Sequence, residues 1–333
     1  MTFVTVACIC CPTNLVLFSS TPSLPTFTPP PVPPTETSSP TFTPASCVDA
    51  ACQEACAGLL AGIVSASEGT GSPMKTFTGD TGSEGDYHEL VRYQVDGDTI
   101  SGPIYHTAPD DLESYKQDAA AHQAIWELFT TIIPAEQRQM VDEYIIFTDG
   151  THDLLAAVEQ EEYKPDKWSL EVDIIDAKDR KALAATLLHE FAHLVTLNIN
   201  QSEPDSYVCA VDYVNPGCGQ PNSYVDLFYR RFWVDIFDEW SAINAIQNDD
   251  ERDQKLEEFY FDHQSQFLTE YATTDTSEDI AESWTYFILV PPPTGDTTAS
   301  KKIMFFYEFP ELAQLRDQIT ARLCGYFLDP ANP

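Results

Sequence analysis

Basic residues are scarce in this sequence. Lysine and arginine number 17 against 53 aspartates and glutamates, so the formal net charge is -36 at pH 7. The acidic residues are spread along the chain, and it lacks the clustered lysines and arginines that phosphate binding requires. The composition therefore argues against nucleic acid as a partner, so none is expected, and against docking on an anionic membrane surface. It is typical of a highly soluble protein in an extracellular or salty medium.

The N-terminal segment lacks the positive charge of an ordinary export signal. Residues 3–18 are largely apolar, but a proline and an asparagine interrupt them, and no basic residue precedes Lys75. A secretory signal peptide has a basic start before its apolar core. Residues 4–8 read Val-Thr-Val-Ala-Cys, which resembles the cleavage site of a bacterial lipoprotein. We interpret residues 1–18 as an incomplete signal or lipoprotein segment, which a truncated or misplaced start would explain.

Residues 19–46 lack the apolar side chains that a core requires. Of these 28 residues, 22 are proline, serine or threonine. The prolines favour an extended, semi-rigid spacer, so we predict a disordered linker that holds a domain away from a cell envelope. No comparable linker follows, and 43% of the chain is hydrophobic, which is ample for a core. Residues 47–333 are therefore predicted to form one folded domain.

The six cysteines of this predicted domain lack the Cys-x-x-Cys spacing that cysteine-based zinc sites favour. In an exported protein, six cysteines allow up to three disulfides with fifteen pairings, among which the sequence does not choose. Cys209 and Cys218 are the favoured pair, because Asn215, Pro216 and Gly217 supply a turn between them.

Hydrophobic spacing predicts a few regular elements before residue 180. Apolar and aromatic residues recur at helical spacing within 109–132, which predicts a helix there. Residues 143–148, followed by Asp149 and Gly150, predict a strand and a turn. Residues 168–174 alternate and predict a second strand.

Residues 182–195 are almost wholly apolar and read Ala-Leu-Ala-Ala-Thr-Leu-Leu-His-Glu-Phe-Ala-His-Leu-Val. This pattern predicts a buried helix, with either Asp176 or Asp179 as its N-terminal cap. The strongly polar members are two histidines and one glutamate.

This helix contains a His-Glu-x-x-His motif. His189 and His193 are four residues apart and lie on one helical face, so both imidazoles reach one cation. Glu190, beside the first histidine, is turned toward a water on that cation. Burying three polar groups in an apolar helix is costly unless a metal satisfies them. The alternative is a histidine stripe that faces solvent.

A catalytic zinc has three protein ligands and an open position for water. The class of enzymes with a third histidine would need glycine and histidine where this chain has Thr196 and Ile199, so that class is excluded. The remaining common ligand is a carboxylate from a later helix.

Residues 271–289 supply such a helix. Thr276 or Ser277 is its expected cap, and Glu278 and Glu282 lie four apart on one face. Glu278 is predicted to bind zinc, while Glu282 accepts the free ring N–H of a ligand histidine. The alternative is a pair of solvent-facing acids in a very acidic protein.

The pairing of His-Glu-Phe-Ala-His with Tyr-Ala-x-x-x-x-x-Glu-Asp-x-Ala-Glu resembles the glutamate-type zincins (gluzincins) related to the anthrax lethal factor catalytic domain and to the secreted Pro-Pro endopeptidases. The resemblance covers about residues 140–290. It implies an α+β, zincin-like metallopeptidase domain with a small mixed sheet, an active-site helix and a mostly helical C-terminal part. The 84 residues from Leu194 to Ser277 are more than these relatives have, which predicts an insertion at roughly 200–265.

The same resemblance implies a role for each motif residue. It makes His189, His193 and Glu278 the ligands of one Zn²⁺ ion, with Glu190 as the general base. Tyr271, seven residues before the glutamate ligand, would stabilise the reacting carbonyl. Glu282 would orient a ligand histidine.

The expected function is zinc-dependent hydrolysis of peptide bonds in a protein or peptide substrate. The strand at 168–174 is expected to pair with that substrate in extended form. The protein is expected to be a secreted or surface-tethered monomer, with no transmembrane domain in its folded part and a lipid or envelope tether at its N-terminus. One alternative is a non-catalytic surface-tethered binding module with a structural or vestigial zinc site, and another is a zinc hydrolase that acts on something other than a peptide.

Overall fold

A mixed sheet and a larger set of helices make up the chain, as seen in a computed structural model. The sequence segments predicted as signal (1–18) and linker (19–46) lie outside the described residues. The described residues belong to one compact unit. They are 49–69, 87–150, 154–161, 163–203, 209 and 217–332.

Strands and helices are interspersed in the first half of the described chain, and helices predominate toward the C-terminus. The strands are β1 (His88–Asp96), β2 (Thr99–Tyr105), β3 (Val141–Thr148), β4 (Ala156–Glu161), β5 (Lys164–Asp173), β6 (Ser202–Glu203) and β7 (Cys218–Gly219). The helices are α1 (Ala50–Gly69), α2 (Glu113–Lys116), α3 (Ala119–Ile132), α4 (Arg180–Thr196), α5 (Tyr224–Phe232), α6 (Phe237–Asn244), α7 (Asp249–Asp262), α8 (Thr276–Leu289), α9 (Thr298–Phe305) and α10 (Pro310–Phe327). The predicted α+β class with a small mixed sheet and a mostly helical C-terminal part is confirmed.

The five long strands form one sheet in the order β2-β1-β3-β5-β4. The β3–β5 pair is parallel, and the other neighbouring pairs are antiparallel. Tyr144, Ile146, Leu170 and Val172 share one buried core cluster with residues of the helices. The sheet therefore packs on the helices through one of its faces.

The strand predicted at 168–174 is β5, which is an inner strand of the sheet. It lies between β3 and β4, which occupy both of its hydrogen-bonding sides. The sheet edge on this side is β4, whose pattern of small and acidic residues gave no strand signal. The expectation that the strand at 168–174 pairs with a substrate is therefore wrong.

Helix α3 begins one residue after Asp118, whose side chain accepts a hydrogen bond from the Ala121 N–H. This cap divides the helical pattern predicted over 109–132 into the short α2 and the longer α3. Strand β3 matches the strand predicted at 143–148, and Gly150 in the following turn has a φ of 85°, which favours glycine.

Two aspartates begin the helices that carry the motif residues. Asp179 caps α4 by accepting hydrogen bonds from two backbone N–H groups of its first turn, which decides between the two predicted caps. Asp275 caps α8 in the same way. The prediction that Thr276 or Ser277 caps α8 is wrong, because both residues lie inside its first turn.

Disulfides join distant and near parts of the chain. The predicted pair of Cys209 and Cys218 is confirmed. A second disulfide joins Cys56 in α1 to Cys324 in α10, across a sequence separation of 268 residues. Residues 50–67 of α1 are long and apolar enough to cross a membrane, but Cys56 is fully buried in the core cluster.

The predicted insertion at 200–265 contains the small β6–β7 pair and helices α5, α6 and α7. The aromatic, partly helical stretch at 224–240 forms α5 and α6. Trp233 and Phe259 are buried in the same core cluster as the sheet, so the described part of this region belongs to the folded body.

Candidate metal centre

The motif residues lie on two buried helices that pack against each other. Helix α4 carries His189, Glu190 and His193, and helix α8 carries Glu278 and Glu282. In each helix the spacing of four residues places the polar side chains on one face. All five residues are at most 7% exposed, so their polar atoms must be satisfied within the protein.

Three potential ligand atoms meet between these helices. His189 Nε2 lies 2.9 Å from Glu278 Oε2 and 3.2 Å from His193 Nε2. His193 Nε2 lies 3.5 Å from Glu278 Oε1. The structure thus brings together a buried His–His–Glu group that could hold a metal ion.

The hydrogen bond at the other side of His189 decides what its Nε2 atom can do. His189 Nδ1 lies 2.9 Å from Glu282 Oε1, and a carboxylate oxygen accepts, so Nδ1 carries the proton. In the neutral ring, Nε2 then presents a lone pair toward the Glu278 carboxylate, which is also an acceptor. A cation or an extra proton must lie between them.

The spacing and chemistry of the group fit a metal. A tetrahedral site with bonds of about 2.0–2.1 Å separates its ligand atoms by about 3.3 Å, close to the distances found here. With the metal-free ring, burial alone would lower the pKa of His189, but the carboxylates of Glu278 and Glu282 outweigh burial and raise the pKa to about 10. The same carboxylates that attract this proton would attract a cation.

Glu282 is itself held in place. The Thr269 hydroxyl donates to Glu282 Oε2 over 2.8 Å, while Oε1 faces His189. Both carboxylate oxygens are thus engaged, which fixes the orientation of the imidazole. The predicted position of Glu282 behind His189 agrees with this geometry. Thr269 was not identified from the sequence, since nothing in its sequence pattern marks it.

Glu190 is buried beside the two histidines. Burial raises the pKa of its carboxyl to about 7, against the lowering effect of the charges on His189 and His193. A backbone hydrogen bond from Val158 of strand β4 also stabilises the ionised form. Glu190 therefore lies between the candidate metal group and the edge of the sheet.

Tyr271 lies in a short 3-10 turn just before α8. Its ring centroid is 5.9 Å from that of His189, and its hydroxyl is hydrogen-bonded to Glu278. Burial, followed by the negative charge of Glu278, raises its pKa well above the usual value. The hydroxyl therefore keeps its proton and can donate a hydrogen bond.

The cap of α8 differs from the one predicted from the sequence. Asp275 Oδ1 accepts the backbone N–H groups of Ser277 and Glu278 over 2.7 and 3.0 Å. The order Asp-Thr-Ser-Glu matches the spacing of a capping box, in which a capping residue precedes a glutamate by three positions. That signal identifies Asp275 when it is applied to this segment.

A buried ion pair involves Asp279, the residue that follows Glu278 in α8. The Lys302 ammonium is 2.5 Å from Asp279 Oδ2, and both side chains are fully buried. The Trp233 indole N–H donates to the same oxygen over 2.7 Å. These contacts tie α8 to α9 and to the region after α5. No sequence signal marks Lys302.

Comparison of the chain with protein-family models, with curated proteins and with solved structures gave no match.

Proposed function

We propose that this chain is a zinc-dependent endopeptidase of the glutamate-type zincin class. Zinc would be held by His189, His193 and Glu278, and Glu190 would act as the general base. The observation that carries the proposal is the meeting of these ligand atoms at 2.9–3.5 Å, with Glu190 beside them. Two nitrogens and one carboxylate are a common ligand set of catalytic zinc, which keeps one position open.

Zinc, when bound, would polarise the scissile carbonyl and lower the pKa of the attacking water. The remaining steps belong to residues of the chain. The Glu190 carboxylate takes a proton from the water as its oxygen attacks the carbonyl carbon. Glu190 then delivers this proton to the amine nitrogen as the C–N bond breaks.

Tyr271 would assist at the carbonyl oxygen. As negative charge develops there, a hydrogen bond from a positioned hydroxyl becomes stronger and stabilises the transition state. The raised pKa of Tyr271 keeps this donor protonated. To reach the substrate, its hydroxyl would exchange the Glu278 carboxylate for the substrate oxygen.

The edge strand β4 would align the substrate. An extended peptide adds to an exposed strand edge through main-chain hydrogen bonds, and the Val158 backbone is in contact with Glu190. A peptide on this edge therefore runs past the general base. This assigns to β4 the role that the sequence analysis gave to the strand at 168–174.

The disulfides fit a secreted or surface-tethered protein, because disulfides persist in oxidising compartments. The main competing function is a non-catalytic module with a structural zinc. Structural zinc sites usually have four protein ligands, whereas the group in the described part of the chain contains three residues.

Digestion of a peptide library by the full chain, loaded with zinc and read by mass spectrometry, tests the proposal. We expect defined cleavage products from the wild-type chain and none from Glu190→Gln, which keeps the ligands but removes the base. Products from Glu190→Gln at the wild-type rate would contradict the mechanism. A zinc-bound wild-type chain that cleaves no peptide would favour the non-catalytic module.

A further inference from the structure

The direction in which each residue of β4 faces is fixed by one hydrogen bond. The Leu155 carbonyl accepts a hydrogen bond from the Asp173 N–H over 2.9 Å, so the backbone N–H and C=O groups of Leu155 point toward β5. Backbone direction alternates along a strand. The backbone groups of Glu159 therefore point toward β5 as well. Those of Val158 and Gln160 point outward, away from the sheet. In the described residues, no strand pairs with that outer side.

The two faces of this edge strand differ in chemistry. Val158 lies opposite Leu170 and packs against the core on the helix side. Glu159 lies opposite Ser169, so its side chain is on the other face, where it is exposed. A peptide paired with β4 would thus place one side chain beside Val158 and its neighbour beside Glu159.

Glu159 carries a negative charge that no described residue neutralises. The same face of the sheet carries the carboxyl group of Glu171, which is buried and belongs to the adjacent strand. Burial, and then the charge of Glu159, raises the pKa of Glu171 to about 7. The neighbouring cation Lys164 is paired with Glu161 and Asp142 instead. This face of the strand edge therefore attracts positive charge.

We infer that Glu159 is a specificity-determining residue, and that the substrates are extended peptides with a lysine or arginine opposite it. The inference rests on the proposed function, since it takes β4 as the substrate-binding edge. Residues directly opposite each other in an antiparallel pair have Cβ atoms about 4.5–5.5 Å apart. A lysine or arginine at that position reaches the Glu159 carboxylate and forms a charge-assisted hydrogen bond.

The test uses pairs of peptides. The two members of a pair differ only by lysine or glutamine at one position, and each position along the peptide is tested by its own pair. Cleavage rates are measured with the zinc-loaded full chain and its Glu159→Gln and Glu159→Lys variants. Glu257→Gln is the matched control, because Glu257 is an exposed glutamate on α7, away from the strand edge. In parallel, binding of the same fluorescent peptides is measured by anisotropy on Glu190→Gln protein with and without Glu159→Gln.

We expect kcat/KM to favour lysine about fivefold to tenfold at one position. Glu159→Gln should abolish this preference, Glu159→Lys should reverse it so that glutamine is favoured over lysine, and Glu257→Gln should leave it unchanged. The inference is overturned if lysine is preferred at no position, or if the preference survives Glu159→Gln. If the wild-type chain cleaves nothing, the proposed function fails, and the anisotropy alone decides on the role of Glu159. Stronger binding of the lysine peptide that is seen only when Glu159 is present upholds the inference. Equal binding of the lysine and glutamine peptides overturns it.

Discussion

At the scale of single residues, the candidate centre is defined by which atoms can carry a proton. Glu282 fixes the proton of His189 on Nδ1, and this turns the Nε2 lone pair toward Glu278 and His193. The sequence motif predicts which residues are involved. The structure adds the orientation of each ring, which the motif does not contain.

Removing the negative charge of Glu282, which contacts His189 Nδ1, should weaken metal binding without removing a proposed ligand. We expect Glu282→Gln to lower zinc affinity by about 10–100-fold, because the partners of ligand histidines raise their basicity and fix their orientation. Thr269→Val, which removes only the hydroxyl on the other carboxylate oxygen, should have a smaller effect. Competition with a chromophoric chelator measures both. Equal affinity in Glu282→Gln and the wild-type chain would show that this contact does not support the metal.

The buried carboxyl group of Glu171 should make the protein less stable as pH rises. Burial, with the charge of Glu159, raises the pKa of Glu171 from 4.5 to about 7. Between these values the folded protein holds a proton that the unfolded chain releases. Stability contributed by this group is therefore full below about pH 4.5 and is lost as pH rises to about 7.

Replacing Glu171 by glutamine, which is neutral and has the same shape, tests the predicted direction of this pH dependence. Relative to the wild-type chain, Glu171→Gln should gain up to about 3 kcal/mol of unfolding free energy between pH 4.5 and 8. Urea denaturation at several pH values measures the difference, with Glu257→Gln as an exposed control. A variant whose advantage does not grow with pH would refute the raised pKa.

At the scale of elements, the sequence predicts what is local. The apolar run of α4, its two histidines and the α8 segment are recognisable because helical spacing is a short-range pattern. The edge position of β4 depends on pairing between strands, which short-range periodicity does not encode. The buried pair of Lys302 and Asp279 is equally invisible, because a lysine in a sequence is ordinarily read as exposed.

The cap of α8 can be tested against Thr276, one of the two caps predicted from the sequence. Asp275→Ala removes the oxygen that accepts the N–H groups of Ser277 and Glu278. We expect a loss of about 1 kcal/mol in unfolding free energy and weaker zinc binding, since Glu278 lies in this first turn. Thr276→Ala should leave zinc affinity unchanged, because Thr276 is not the cap. Thermal unfolding and zinc titration of both variants check this, and the reverse order of effects would contradict the assignment.

At the scale of the whole molecule, the disulfide between Cys56 and Cys324 closes nearly the entire described chain. Its sequence separation is 268 residues, against 9 for the pair of Cys209 and Cys218. The sequence favours the short pair through its turn residues. The long pair depends on the packing of α1 against α10 and could not be chosen from fifteen pairings.

These two of the chain's disulfides should differ in their contribution to stability. Loop entropy predicts a loss of about 5.5 kcal/mol when Cys56 and Cys324 are both replaced by alanine, and about 2.5 kcal/mol for Cys209 and Cys218. Denaturation of the two double variants in guanidinium chloride compares them. A larger loss from the short pair would mean that the long disulfide does not constrain the unfolded chain as proposed.

Zinc stoichiometry of the purified full chain tests the central claim most directly. After chelator treatment and zinc titration, we predict one tightly bound zinc per chain in the wild-type protein and in Glu190→Gln. Glu278→Ala should bind no zinc under the same conditions, with its fold checked by circular dichroism. A wild-type chain without zinc, or a folded Glu278→Ala chain that binds zinc as tightly as the wild type, would contradict the account.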